Sequence, residues 1–246
     1  EINMLDEMMM LPIGATLQGG KYRVVRYMAS GGFGNTYEVE HTTLGKRMAL
    51  KEFFIRGVNV RNGLSVTIAT EVNRSTFDQM RAKFFKEARR LATLDNIHIV
   101  EVSDFFEEND TVYYVMKLIH GGSLASTMKQ MGHAFTEKQV EHFFLQILSA
   151  LKFIHHQGLY HLDLKPDNIM HNDEGHCWLI DFGASKQLTY KQTMTMATTT
   201  GLCYTPGYAP SEQVSCNTKR IGPWTDFYSL GATLYNLLTN EIPPSP

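Results

Sequence analysis

Along the first part of the chain, apolar positions come in short runs separated by turns. Lys21–Tyr27 and Tyr37–His41 predict strands on either side of the glycine-rich turn Ser30–Gly34, and Met48–Phe54 is an apolar run of strand length. From Phe77 to Leu94 the period lengthens, with Phe84, Ala88, Leu91 and Ala92 recurring at helical spacing. Ile99–Phe106 and Thr111–Leu118 then predict two more strands around the turn Glu107-Glu108-Asn109-Asp110. Strands with one inserted helix predict an antiparallel sheet carrying a single helix. Arg56–Ser75, polar and rich in Asn, Thr and Ser, is expected to be a mobile insertion.

After Gly121-Gly122 the texture becomes helical. Thr136-Glu137-Lys138-Gln139 is a capping box, in which the threonine hydroxyl and the glutamine side chain satisfy helix amides that lack a partner. The helix it opens carries Val140, Phe143, Phe144, Ile147, Leu151 and Ile154 on one stripe and stops at Gly158. Asp226–Leu238 predicts a second helix, apolar enough to be expected inside the protein. The change of texture near Lys117–Gly122 reads as a hinge. The expected organisation is an N-terminal extension over 1–20, a β-rich lobe over 21–118 with an insertion at 56–75, and a helical lobe over 119–246.

Composition narrows the function classes only a little. The 246 residues are 43% hydrophobic, which supports a real core. A formal net charge of −2 argues against nucleic acid or a membrane surface as the main partner, since both select for a basic excess. Cys177, Cys203 and Cys216 form no CxxC pair, so isolated thiols in a reducing, cytoplasmic setting are expected. No run approaches the roughly 18–20 apolar residues of a membrane span. The start, with Met8, Met9 and Met10 among acidic flanks, lacks the basic region of a secretory signal. A first residue of Glu1 suggests a fragment.

Three clusters could carry chemistry. Ala29-Ser30-Gly31-Gly32-Phe33-Gly34 offers backbone amides with little side chain in the way, as phosphate binding requires, although by itself it is equally a flexible hairpin turn. Met48-Ala49-Leu50-Lys51 places a lysine in an apolar strand, where an unpaired ammonium is costly; an edge-strand lysine facing solvent is the alternative. His161-Leu162-Asp163-Leu164-Lys165-Pro166-Asp167-Asn168 is followed, thirteen residues after Asn168, by Asp181-Phe182-Gly183. Phosphoryl transfer needs such an assembly, because its charge-rich transition state is served mainly by positioning and neutralisation.

In order, spacing and residue type these motifs resemble the protein kinase family, from about Lys21 to the end of the chain, and specifically its eukaryotic-like (Hanks-type) Ser/Thr branch. The Tyr-Ala-Pro-Ser-Glu-Gln run and the long insertion resemble bacterial members. The resemblance implies an α+β, bilobal fold: a small antiparallel β-sheet lobe with one helix, and a larger, mainly α-helical lobe whose C-terminal helices are missing after the helix carrying Asp226. It implies Mg2+ and ATP as cofactors, and a protein substrate whose serine or threonine hydroxyl takes the γ-phosphate. Ala29, Ser30, Gly31, Gly32, Phe33 and Gly34 would cover the phosphates, with Thr36 and Ala49 near the adenine. Lys51 would hold the α- and β-phosphates and be held by Glu87, with Glu71 as the spare candidate.

Met116 would be the gatekeeper, backbone groups of Lys117 and Ile119 would bond adenine, Ser123 would face the ribose, and Met170 would complete the nucleotide site. Asp163 would take or orient the hydroxyl proton, Lys165 would stabilise the transferred phosphoryl, and Asn168 and Asp181 would ligate Mg2+. Thr205 would bridge Asp163 and Lys165, and Asp226 would anchor the catalytic loop. The chain departs from the family pattern at Ala29 (usually glycine), Thr36 (usually valine), Leu162 (usually arginine) and Ser211 (usually proline). Leu162 predicts an enzyme that needs no phosphate on Thr198, Thr199 or Thr200. A nucleotide-binding pseudokinase and a small-molecule kinase of the aminoglycoside or choline type are the alternatives.

Overall fold

In the computed structural model, the described residues are 9–31, 34–182, 204–215 and 217–244, the side chains of Glu71, Thr76 and Thr218 aside. Gly32, Phe33, Gly183, Thr198–Thr200, Cys203 and Cys216 therefore lie outside the description. The chain divides into two compact units: 1–94 with 101–118, and 95–100 with 119–246.

The first unit is built on a six-stranded sheet in the order β1-β2-β3-β4-β8-β7, with every neighbouring pair antiparallel. Its strands are β1 (Thr16–Leu17), β2 (Tyr22–Gly31), β3 (Gly34–His41), β4 (Lys46–Phe53), β7 (Val102–Glu108) and β8 (Thr111–Lys117). The 18-residue helix α1 (Arg74–Leu91) buries Phe77, Phe84, Ala88 and Leu91. Phe84 sits 5.4 Å from the ring of Phe53 and 5.2 Å from that of Tyr114, so the helix rests on the sheet through aromatic contacts.

The described part of 1–20 is built into this sheet. Thr16–Leu17 pairs with β2, and Met10, Leu11 and Leu17 join a core with Tyr22, Tyr37, Met48, Leu50 and Tyr113. The insertion differs from its expected mobility. Asn59–Asn62 (β5) and Ser65–Ile68 (β6) form an antiparallel hairpin, and Arg61, a polar residue by composition, has a side chain only 3% exposed. Burial of its guanidinium is made tolerable by an ion pair described below.

The second unit contains α2 (Leu124–Met131), α3 (Glu137–His156), the short pair β9 (Ile169–His171) and β10 (Cys177–Leu179), the single turn α4 (Ser211–Val214), and α5 (Pro223–Thr239). The Thr136 capping box forms, with Gln139 N donating to the hydroxyl at 3.4 Å and Gln139 Oε1 accepting from Thr136 N at 3.0 Å. Two expectations are corrected here. The predicted strand over Ile99–Phe106 begins at Val102; Ile99 instead bridges Leu179, with Val100 N donating to Leu179 O at 3.0 Å and Leu179 N donating to His98 O at 2.8 Å. Helix α5 is not wholly buried either: Phe227, Tyr228, Tyr235 and Leu238 are exposed, while Thr225, Asp226, Ser229, Thr233 and Asn236 are inside. Three of these inward residues, Asp226, Thr233 and Asn236, meet backbone groups of neighbouring loops that need hydrogen bonds, while Thr225 donates to the Glu212 carboxylate and Ser229 to the carbonyl of Thr225 in its own helix. Among the described residues, no helix is long and apolar enough to cross a membrane.

Candidate active site

Register places the sheet unit's candidate residues. Thr36 opposes Lys51, which opposes Tyr114, and Ala49 opposes Met116; Ala29 opposes Thr36, Ser30 opposes Asn35, and Gly31 opposes Gly34. Directly opposed residues share a face and so do residues two apart, so Thr36, Ala49, Lys51 and Met116 lie together on one face. Lys51 is 7% exposed, with its ammonium 5.9 Å from the Tyr114 ring centroid, whereas Ala29, Ser30 and Gly31 are exposed. Glu87 is half-buried on α1, and Lys117, whose backbone N donates to Glu101 O, is exposed at the end of β8. Gly34 must be glycine: a Cβ there would lie 2.3 Å from the carbonyl oxygen of Glu52.

In the helical unit the candidate residues converge on a loop with almost no regular structure. The first anchor is Asp226, fully buried in the first turn of α5. Its carboxylate accepts from His161 N at 2.9 Å and Leu162 N at 2.8 Å, and lies 2.7 Å from His155 Nε2. Gln213 of α4 donates to Leu162 O at 2.5 Å. These bonds hold Leu162 at φ 64°, a left-handed conformation that costs a branched residue about 1–2 kcal/mol. The turn it makes aims the next side chain, Asp163. His161 is also fully buried, accepting from Asp163 N on Nδ1 and facing Ile180 O with Nε2 at 3.1 Å, which assigns its proton to Nε2.

The candidate reacting groups are tied to one another. Thr205 Oγ1 donates to Asp163 Oδ1 at 2.6 Å and accepts from Lys165 Nζ at 2.8 Å, while that ammonium lies 2.9 Å from Asp163 Oδ2. Asn168 Nδ2 donates to Asp163 O at 2.8 Å and to Oδ2 at 2.9 Å. Since both bonds use the amide nitrogen, the Asn168 oxygen points away from Asp163. Ile180 N donates to Asn168 O at 3.0 Å, which brings Asp181 beside Asn168. An amide oxygen and a carboxylate are a hard-donor pair that suits Mg2+, an ion that takes few protein ligands and completes its shell with water and phosphate. Among the described residues, no group of three His, Cys, Asp or Glu is placed to hold a metal ion.

Two further candidates meet in the same unit. Ser123 and Met170 form an isolated antiparallel bridge, and Ile119 is buried nearby in sequence at 9% exposure. The Ser123 hydroxyl accepts from Ser126 N at 3.1 Å as the cap of α2. Gly121 is required by its position, since a Cβ would lie 2.2 Å from His171 O. Sequence reasoning missed Gln213 and His155, because neither belongs to a motif of the reacting groups. It also missed Glu52, although an acidic residue inside the apolar run Met48–Phe54 was a visible signal.

The protein kinase domain pattern matches residues 22–245, and the chain belongs to the protein kinase domain family. It is 31% identical over 224 residues to a probable serine/threonine-protein kinase, pknA2, of Bifidobacterium longum, across 91% of this chain and 27% of that protein. It is 30% identical over 236 residues to serine/threonine-protein kinase F of Synechocystis, across 90% of this chain and 44% of that protein. The chain thus spans less than half the length of these curated relatives. A solved structure described as "PpkA-294 apo form" superposes with a TM-score of 0.83 at 30% identity, covering 96% of this chain and 81% of that one. The fold is accordingly the α+β protein-kinase fold, one unit built on an antiparallel sheet with a helix and the other mainly helical.

Proposed function

We propose that the chain is a Ser/Thr protein kinase that transfers the γ-phosphate of Mg-ATP to serine or threonine hydroxyls of proteins. The observation that carries this is the bonded set Asp163–Thr205–Lys165–Asn168, with Asp181 next to it. Asp163 accepts the proton as the substrate oxygen attacks the γ-phosphorus and the bond to ADP breaks. Lys165, held by Thr205, neutralises charge growing on the transferred group. Asn168 and Asp181 would hold Mg2+, which when bound supplies charge neutralisation on the phosphate oxygens. Lys51 and the Ala29–Gly34 turn would hold the remaining phosphates, with Glu87 supporting Lys51. Met116, the backbone of Lys117 and Ile119, Thr36, Ala49, Ser123 and Met170 would bind the nucleoside. The match to relatives named as serine/threonine-protein kinases and the Thr205 bridge support a hydroxyl amino acid as acceptor.

The test is transfer from γ-labelled ATP with Mg2+ to a generic protein and to the chain itself, compared with Asp163→Asn. Label on serine and threonine is expected, falling roughly 10²–10⁴-fold in the variant, as removal of a general base predicts. Binding of Mg-ATP without transfer by either protein would replace this reading with that of a nucleotide-binding pseudokinase. Transfer to a small alcohol but to no protein would replace it with a small-molecule kinase.

A further inference from the structure

Glu52 follows Lys51 in β4, so its side chain projects from the opposite face of the sheet. It is fully buried, a costly place for a carboxylate unless several donors meet it. Four do. Arg61 Nη2 lies 2.5 Å from Oε2, Tyr37 OH donates to Oε2 at 3.0 Å, and Asn35 Nδ2 reaches it at 3.4 Å, while Tyr113 OH donates to Oε1 at 3.0 Å. These donors come from β3, from β8 and from the hairpin inserted at 56–75. One carboxylate therefore ties three strands and the insertion together on the side of the sheet away from Lys51.

The hairpin is anchored at other points as well. Arg61 Nη1 donates to Leu64 O at 2.9 Å, and Nη2 also reaches Met9 O at 3.2 Å, which Asn35 Nδ2 meets at the same distance. Val66 N donates to Asn109 O at 2.8 Å, in the β7–β8 turn. Beyond Ile68 the chain passes through a single 3-10 turn, Glu71–Asn73, into α1, the helix carrying Glu87. Two elements of the proposed phosphate grip thus depend on the same stretch of β4. Lys51 is the residue before Glu52, and Gly34 approaches the Glu52 carbonyl so closely that no Cβ fits between them.

We propose that the buried Glu52–Arg61 pair is a positioning device for nucleotide binding, through which the inserted hairpin sets where β4 presents Lys51 and where Gly34 sits. Neither residue touches substrate; both act through Lys51 and Gly34. The inference rests on the functional reading given above. It also predicts something about Lys51 that does not require turnover, namely that its exposure to solvent depends on a pair on the other face of the sheet.

The experiment compares the full chain with Arg61→Met, Arg61→Lys, Glu52→Gln and the double variant Glu52→Gln/Arg61→Met. Three quantities are measured: KM for ATP against kcat, the rate of Lys51 acylation by an amine-reactive ester read by mass spectrometry, and Tm. Arg61→Met is expected to raise KM for ATP roughly tenfold with kcat little changed, and to speed Lys51 acylation, since small displacements of a gripping group weaken binding strongly. The double variant removes the carboxylate left without its guanidinium, and is expected to recover much of both readouts, as is Arg61→Lys in part. A lower Tm with KM and Lys51 acylation both unchanged would overturn the proposal and leave the pair a structural one. Should Arg61→Met fail to fold, the double variant and Arg61→Lys decide by the same two readouts. Absence of transfer by the unaltered chain would instead strike the functional reading, and Lys51 acylation alone would then decide whether the pair positions the lysine.

Discussion

Lys51 sits in a strand hydrogen-bonded on both sides, where backbone register with β3 and β8 determines its neighbours. Asp163 sits in a loop where hardly any backbone group is paired within regular structure, and side chains supply the missing partners: Asp226, Gln213, Asn168 and His161. The two halves of the proposed reaction are therefore held by different physics. A sheet distributes its restraint over many equivalent bonds, so the removal of one side chain shifts the strand slightly. A loop held by a few buried polar side chains concentrates its restraint, and loss of one anchor exposes several unpaired groups together. The difference teaches where mutational sensitivity falls: on polar residues of α5 that touch no substrate, rather than on the apolar surface of that helix.

The largest effect that sharpens this contrast is expected from Asp226→Ala. It leaves the amides of His161 and Leu162 without acceptors in a buried site, and a loss of about 3–5 kcal/mol of stability is expected together with activity. Urea unfolding of the variant checks this; a loss below that of an ordinary surface substitution would break the comparison. Thr205→Val comes next. It removes the bridge between Asp163 and Lys165 while keeping the side-chain shape, so kcat is expected to fall about tenfold with KM for ATP nearly unchanged, on the scale of one buried hydrogen bond to a charged group. A change confined to KM would place Thr205 outside the reacting set.

The smallest effects lie in the pH dependence of stability, where both units contribute an alkaline limb and the unit containing His98 also contributes an acid one. Burial pushes the thiol of Cys177, in the helical unit, from its ordinary 9.0 to about 12. In the sheet unit burial raises the phenols of Tyr37 and Tyr113, and burial with the Asp104 carboxylate raises Tyr22 to about 12. All these groups stay protonated in the fold while the unfolded chain ionises, so stability is expected to fall as pH rises above about 9–10. His98 behaves oppositely. Burial holds its imidazole below the ordinary 6.5, beside His176 at a ring distance of 4.7 Å. The unfolded chain takes the proton first, so stability is full above that value and declines as pH drops through it. Tm followed by circular dichroism between pH 5 and pH 10.5 would show both limbs, and His98→Asn is expected to flatten only the acid one.

Much of this was already legible in the chain. Alternation and period placed most strands and the helices α1, α3 and α5, because each depends on a pattern local to its own residues: a buried face every second or every third to fourth position. The motif around Asp163 and Asp181 was legible for the same reason, since the chemistry demands fixed residue types at short spacing. What stayed hidden depends on partners outside the residue's own element. The polar insertion gave no sign of order, because the reason Arg61 is buried is Glu52 across a core that also includes Tyr37 and Tyr113. Ile99 and Val100 looked like the start of β7, because an apolar pair carries no mark of which strand it will join. Helix α5 looked like a core helix by its apolar count, yet its polar side faces inward, because a buried carboxylate is favourable only where backbone amides converge on it. Local pattern thus determined the elements and marked the candidate reacting groups, and tertiary structure decided which polar residues are buried, since that is settled by the partners the fold brings to them.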